Sequence, residues 1–325
     1  MNAIVLTPKD FTSDQEVRWC PGCGDYAILK GVRTALSKIG REPRDVVFVS
    51  GIGCAARFPY YISTYGFHTI HGRAPAVATG VKLANPALDV WVVGGDGDFL
   101  SIGGNHLLHV LRRNVDLNLL LLNNAIYGLT KGQYSPTSAI GTRSPSSPGG
   151  SVEEPVNAAL FALGAGAKFV ARSVDAIQDH LPDVLVRAHG HRGASLVEIL
   201  QNCIIYNDGA FGPLRNKTEV AENAVRLVHG QPMRFGRSGE KGLVFDERED
   251  RFRVVEVGDE HPVEQLAVHD ETNLVRATAL ASMTAPVALG VLYAREADPE
   301  RPGLSAIAPT APMSLEALGA LLERG

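Results

Sequence analysis

Two short motifs, one strand and one helix apart, constrain this chain more than anything else in it. Gly95-Asp96-Gly97-Asp98 ends the apolar run Val90-Trp91-Val92-Val93, and Asn123-Asn124 ends Leu119-Leu120-Leu121-Leu122. Runs this apolar read as buried parallel strands. Joined by a helix, two such strands set Asp96 and Asn124 side by side at the carboxyl edge of one sheet, where α/β folds bind ligands. A carboxylate and an amide oxygen converging there suit a hard, octahedral Mg²⁺ shared with a diphosphate.

The spacing narrows this reading. Twenty-five residues separate Gly97 from Asn123. The pattern resembles the thiamine diphosphate signature, which runs GDG, about 25 residues, then NN. Either motif alone is a turn after a strand. The two together, each on a strand end at this interval, favour the cofactor.

The rest of the chain alternates in the same way. Asp25 is placed to cap a helix to about Ser37 that carries Ile28, Leu29, Val32 and Leu36 on one face. Val46–Ser50 reads as a buried strand ending in Gly51-Ile52-Gly53-Cys54. Pro75 to Leu83 reads as a helix, and Ser101 as the cap of another through Leu111. Residues 131–150, rich in Ser, Pro and Gly, form neither a long helix nor a central strand. A loop of that length inside a domain is usually functional or mobile. The Ser151-x-x-Glu154 box predicts a helix to about Ala165. Lys168–Ala171 and Leu196–Leu200 read as strands, with helical material interrupted at Pro182 between them. The expected fold is α/β, a doubly wound, mainly parallel sheet over residues 15–205. Residues 206–325 form a C-terminal extension packing on the domain or on a partner. It holds a hairpin of Gly242–Phe245 with Phe252–Val255 and a terminal helix capped by Ser314, with Leu315, Leu318, Leu321 and Leu322.

Composition matters mainly for what it excludes. The 325 residues carry a net charge of −4, which gives no electrostatic footprint for nucleic acid. No stretch reaches the roughly 18 apolar residues of a membrane span. The N-terminal stretch lacks the charged and apolar regions of a secretory signal. A cytoplasmic protein is expected, with no membrane partner and with its cysteines reduced or metal-bound. There are four of them: Cys20 and Cys23 in a C-x-x-C turn, Cys54 after one strand and Cys203 after another. Four thiolates complete a zinc site or an iron–sulfur cluster equally well. On cysteine count alone, zinc, a cluster and a pair with two unrelated core cysteines stand level.

Taken together, these strings resemble the β subunit of the 2-oxoacid:ferredoxin oxidoreductases. The resemblance is carried by WCPGCGDY (19–26), GIGCAARFPYY (51–61), HTIHGRAPAVATGVKLANP (68–86), GDGDFLSIGGNH (95–106), NNAIYGLTKGQYSPTS (123–138) and the Cys203 region. It implies one [4Fe–4S] cluster held by Cys20, Cys23, Cys54 and Cys203, beside thiamine diphosphate. It implies Mg²⁺ on Asp96, Asn124 and the Ile126 carbonyl. Gly97, Asp98, Gly128 and Leu129 should meet the diphosphate, Ile52, Gly53 and Ala55 should line the cofactor beside Cys54, and His71 should reach cofactor or substrate.

The implied reaction is oxidative decarboxylation of a 2-oxoacid, with electrons passing through the cluster to ferredoxin and the acyl group to coenzyme A. The glutamate that activates thiamine in such enzymes has no counterpart here. The chain should therefore need an α subunit, in an αβ or α₂β₂ assembly. The strings look most like the 2-oxoglutarate members, and Arg57 with Lys131 offers two cations to a second carboxylate. The alternatives are a pyruvate or broad 2-oxoacid enzyme, a thiamine enzyme that does not use ferredoxin, and a zinc-stapled binding module without catalysis.

Overall fold

The computed structural model describes residues 5–214, 216–296 and Ser314. The expected terminal helix through Leu315, Leu318, Leu321 and Leu322 lies outside them. In chain order the first half holds α1 (Gly24–Ile39), β1 (Val46–Ser50), α2 (Phe58–Tyr61), β2 (Tyr65–His68), α3 (Ala74–Ala84), β3 (Asp89–Gly95), α4 (Gly104–Arg112) and β4 (Asn118–Asn123). The second half holds α5 (Ala158–Gly164), β5 (Phe169–Val174), α6 (Leu181–Gly190), β6 (Ser195–Leu200), α7 (Lys217–Asn223), β7 (Ala224–Arg226), β8 (Arg234–Phe235), β9 (Lys241–Asp246), β10 (Arg251–Glu256), α8 (Leu274–Ser282) and β11 (Val287–Ala294).

Eight strands form one sheet in the order β2-β1-β3-β4-β6-β5-β11-β7. Every neighbouring pair is parallel except β11 against β5. The Leu run explains the centre. Leu119 and Leu121 join the core beneath α3, α4, α5 and α8, whereas Leu120 and Leu122 join the one beneath α1 and α6. With both faces covered, the strand has no polar side and its sequence does not alternate. Each fully buried Leu contributes roughly 1.5–3 kcal/mol. The doubly wound, mainly parallel α/β fold is therefore as expected.

The segment after residue 205 supplies β7 and β11, so it packs on the preceding residues by backbone pairing. The hairpin forms as β9 and β10, with Phe245 paired to Phe252, and β8 adds a third antiparallel strand. Among the described residues no helix is long and apolar enough to cross a membrane.

Four local expectations fail. Helix α1 takes Cys23 as its cap residue, and Asp25 lies buried in its first turn. The Ser151 box does not form, because Pro155 holds the preceding backbone extended. Ser151 Oγ instead donates to the Ala139 carbonyl at 2.8 Å, and α5 starts at an Asn157 cap. Pro182 begins α6 rather than interrupting it, since a first-turn N–H has no helical partner to lose. Ser101 sits in non-helical backbone at the end of a widened turn, Gly97–Ile102, and Gly103 precedes α4.

Candidate active site

Strands β1, β3, β4 and β6 are neighbours, and the loops leaving their carboxyl ends build the site. They bring Ile52–Ala55, Asp96–Asp98, Asn124–Leu129 and Gln201–Cys203 together. A cavity of about 110 Å³ is lined by Ile52, Gly53, Cys54 and Ala55 from the first loop and by Asp96, Gly97 and Asp98 from the second. Asn124, Ile126, Gly128, Leu129 and His71 complete it. Every residue expected at the thiamine site thus lines one cavity.

Asp96 is buried at 2% exposure. Burial raises its carboxyl pKa, and hydrogen bonds from Ser135 and Thr137 act in the opposite direction. Both hydroxyls converge on Oδ2, Thr137 Oγ1 at 2.6 Å. Neither hydroxyl engages Oδ1. Asn124 folds back so that its Oδ1 accepts from Ile126 N at 3.2 Å, and Ala125 takes a left-handed φ of 53° between them. A buried carboxylate needs a compensating charge. One carboxylate, one amide oxygen and one carbonyl fit Mg²⁺, which takes its remaining ligands from phosphate and water.

Gly97 and Asp98 shape the turn. A Cβ on Gly97 would lie 2.1 Å from the Tyr127 ring, whose hydroxyl donates to the Gly97 carbonyl at 3.1 Å. The Asp98 side chain faces protein: Oδ1 accepts from Gly72 N at 2.8 Å, from Ile52 N at 3.2 Å and from His71 Nδ1. Only the backbone of Asp98 is left for a diphosphate. Because a carboxylate only accepts, His71 carries its proton on Nδ1 and has Nε2 left for the cavity it lines.

The four cysteines are free thiols and line a second cavity of about 210 Å³. It shares Cys54, Asn124, Gly128 and Leu129 with the first. Gly128 lies between two of the sulfurs, since a Cβ there would sit 3.5 Å from Cys203 Sγ and 3.7 Å from Cys54 Sγ. Burial, with Asp25 close by, pushes the Cys54 thiol up to about 11 and raises Cys23 further. Any metal bound here would have to displace those protons. Among the described residues no three His, Cys, Asp or Glu side chains group as ligands of a single ion. A [4Fe–4S] cluster instead spreads its four thiolates over separate irons, and sulfurs arranged around a shared cavity fit that demand.

Arg57 and Lys131 line this thiol cavity, not the thiamine cavity. The two cations expected for a second carboxylate therefore line the cavity that adjoins the thiamine one. Arg57 donates to the Arg18 carbonyl at 3.0 Å, and Lys131 adopts a left-handed φ of 76°. Neither makes an ion pair among the described residues.

Several site residues escaped the sequence reading. Ser135 and Thr137 lie in the long loop, where a Ser-Pro-Thr string gave no sign of its target. Trp19 donates from Nε1 to the Cys54 carbonyl at 2.8 Å. Asp25 and Gln201 line both cavities. Both Asp25 oxygens are buried without a hydrogen-bond partner, and burial pushes its carboxyl up to about 7.

Comparison with known proteins fits this geometry. The family model described as thiamine pyrophosphate enzyme, C-terminal TPP binding domain, matches residues 51–199. The chain is 59% identical over 236 residues to 2-oxoglutarate oxidoreductase subunit KorB of Mycobacterium tuberculosis, covering 73% of this chain and 63% of that one. It is 47% identical over 190 residues to 2-oxoacid:ferredoxin oxidoreductase 1, subunit beta, of Aeropyrum pernix, covering 58% of this chain and 60% of that one. The chain thus spans less than two thirds of the length of these curated relatives. Among solved structures, it superposes on a 2-oxoglutarate:ferredoxin oxidoreductase from Magnetococcus marinus, solved with 2-oxoglutarate, coenzyme A and succinyl-CoA bound. That match has a TM-score of 0.75 and 32% identity and covers 97% of this chain and 96% of the other. With a thiamine-type cavity opening onto four thiols, and relatives of this identity and coverage, the chain belongs to the 2-oxoacid:ferredoxin oxidoreductase family.

Proposed function

We propose that this chain is the β subunit of a 2-oxoglutarate:ferredoxin oxidoreductase. 2-Oxoglutarate, coenzyme A and two oxidised ferredoxins would give succinyl-CoA, carbon dioxide, a proton and two reduced ferredoxins. The observation that carries the reading is the junction of the two cavities at Cys54, Asn124 and Gly128. A one-electron acceptor has to lie next to the carbon that loses carbon dioxide, and only a cluster beside the thiamine cavity meets that need.

When bound, thiamine diphosphate supplies the electron sink for decarboxylation. This chain holds it. Asp96, Asn124 and the Ile126 carbonyl would take Mg²⁺, and the Gly97–Asp98 and Gly128–Leu129 backbone would meet the diphosphate. Cys20, Cys23, Cys54 and Cys203 would hold the cluster. His71, fixed by Asp98, offers Nε2 to the reacting groups. Arg57 and Lys131, which line the adjoining thiol cavity, would offer two cations to the distal carboxylate, a charge that pyruvate lacks. An α subunit, in an αβ or α₂β₂ assembly, supplies the missing activating glutamate. The free thiols and the cluster chemistry suit a cytoplasmic enzyme.

The test is anaerobic copurification with the α subunit, followed by ferredoxin reduction with a panel of 2-oxoacids. Reduction dependent on 2-oxoglutarate and coenzyme A is expected. A preference for pyruvate would move the assignment to the pyruvate branch, and a colourless, zinc-containing protein would end the enzyme reading.

A further inference from the structure

Behind Asp96 lies a polar chain that the chemistry above does not use. Arg172 on β5 and Glu198 on β6 are buried at 6% and 3% exposure and form an ion pair, Nε to Oε2, at 2.7 Å. The other Glu198 oxygen, Oε1, accepts from Asn123 Nδ2 at 2.8 Å. Asn123 Oδ1 accepts from Ala125 N at 3.1 Å and lies 2.9 Å from Thr137 Oγ1. Thr137 Oγ1 lies 2.6 Å from Asp96 Oδ2. The connection crosses β5, β6, β4 and β3, four adjacent strands.

A buried ion pair is often matched or bettered by apolar side chains of the same volume, and Glu198 interrupts an otherwise apolar run, Leu196-Val197-Glu198-Ile199-Leu200. Its consequence is orientation. A carboxylate only accepts, so Asn123 must turn its amide nitrogen to Glu198 and its oxygen to the loop. Thr137 then has one hydroxyl proton between two acceptors, Asn123 Oδ1 and Asp96 Oδ2. Shared between them, that proton pins the hydroxyl on the line from Asn123 to Asp96. With Ser135 on the same oxygen, Oδ1 is the one that neither hydroxyl engages.

We propose that Arg172, Glu198, Asn123 and Thr137 are positioning residues for the metal carboxylate, a relay that fixes how Asp96 meets Mg²⁺. The proposal rests on the Mg²⁺ reading of Asp96. Residues of this kind change metal affinity by about 10–100-fold when removed.

The test is a Mg²⁺ titration of thiamine diphosphate binding, followed by tryptophan fluorescence, on the enzyme copurified with its partner subunit. Thr137→Val should raise the Mg²⁺ half-saturation about 10-fold, with Thr137→Ser staying near wild type. Joint Arg172→Leu and Glu198→Leu should keep the metal-free thermal midpoint at or above wild type and still raise the half-saturation about 10-fold. Adding Thr137→Val to that pair should bring no further rise, because coupled groups are not additive. An unchanged half-saturation in these variants, or one that tracks the thermal midpoint alone, overturns the relay. So does a Thr137→Ser as impaired as Thr137→Val. If the Leu pair does not fold, Asn123→Ala and the two Thr137 variants decide by the same criteria. Asp96→Asn is the control. No change there removes the metal reading itself, whereas a change there with none in the relay variants removes only the relay.

Discussion

The two adjoining cavities are built on opposite principles. In the thiamine cavity the motif side chains already hold protein partners: Asp96 Oδ2 two hydroxyls, Asn124 Oδ1 the Ile126 amide, and Asp98 Oδ1 two amides and His71. In the thiol cavity little is committed. Burial raises the Cys23 and Cys54 thiols, and all four cysteines are free. A hard ion that exchanges needs a site prepared before it arrives, so the protein positions its oxygens in advance. A covalently ligated cluster organises its own ligands, and the protein need only bring the sulfurs close.

The comparison is most exposed at Asp96. Asp96→Ala removes the charged ligand from a prepared site, and Mg²⁺-dependent thiamine diphosphate affinity should fall by about 100-fold or more, measured by calorimetry. The cluster should remain. Full thiamine retention would show that the prepared oxygens are not the metal site.

Next comes Cys203, the proposed cluster ligand farthest in sequence from the others. Cys203→Ser should strip most of the iron and abolish ferredoxin reduction, while Mg²⁺-dependent thiamine binding stays within about 3-fold of wild type. Iron content and a reduced-cluster EPR signal equal to wild type would make it a strand-end thiol. Loss of thiamine affinity as well would mean that the cavities are not separable.

Arg57 sharpens the boundary between the cavities. Arg57→Ala should raise KM for 2-oxoglutarate by roughly 10-fold and leave pyruvate or 2-oxobutyrate kinetics nearly unchanged, since only the former loses an ion pair. Equal losses on all of them would assign Arg57 to the thiol cavity alone.

The smallest effect lies outside both cavities. His180, bonded through Nδ1 to Ser173 Oγ at 2.9 Å, has its pKa lowered to about 4, first by burial and then by Arg226, against the opposing pull of Asp179 and Asp183. A folded-state pKa below the unfolded value of about 6.5 contributes stability that is complete above that pH. It is lost as pH falls from about 6.5 to 4, by about 1–2 kcal/mol after allowance for partial exposure. Denaturant midpoints at pH 7.5 and 4.5 should differ less in His180→Asn than in wild type, with and without cofactor. An identical slope would remove His180 as the source.

The sequence was legible where a local pattern sufficed. Strands β1, β3, β4 and β6 and the hairpin are apolar runs ended by turn residues, and the motifs on their ends marked the cavity. It was not legible where the partner lies far along the chain. Nothing near Ser135 or Thr137 points to Asp96, some forty residues away. Arg57 and Lys131 were expected together and were found together, but their cavity depended on the path of loops. Glu198 is the instructive omission. A carboxylate inside an apolar strand demands a buried partner, and following that demand would have led through Asn123 to Thr137 and Asp96.

The pairing of a prepared oxygen site with a self-organising thiol site is tested most directly by iron, sulfide and thiamine content of the anaerobically copurified enzyme, read with its EPR spectrum after 2-oxoglutarate is added. Expected are about four irons for each thiamine and a reduced-cluster signal that appears with substrate. A thiamine-loaded enzyme that turns over 2-oxoglutarate with zinc in place of iron, or with a cluster that stays oxidised, would contradict it.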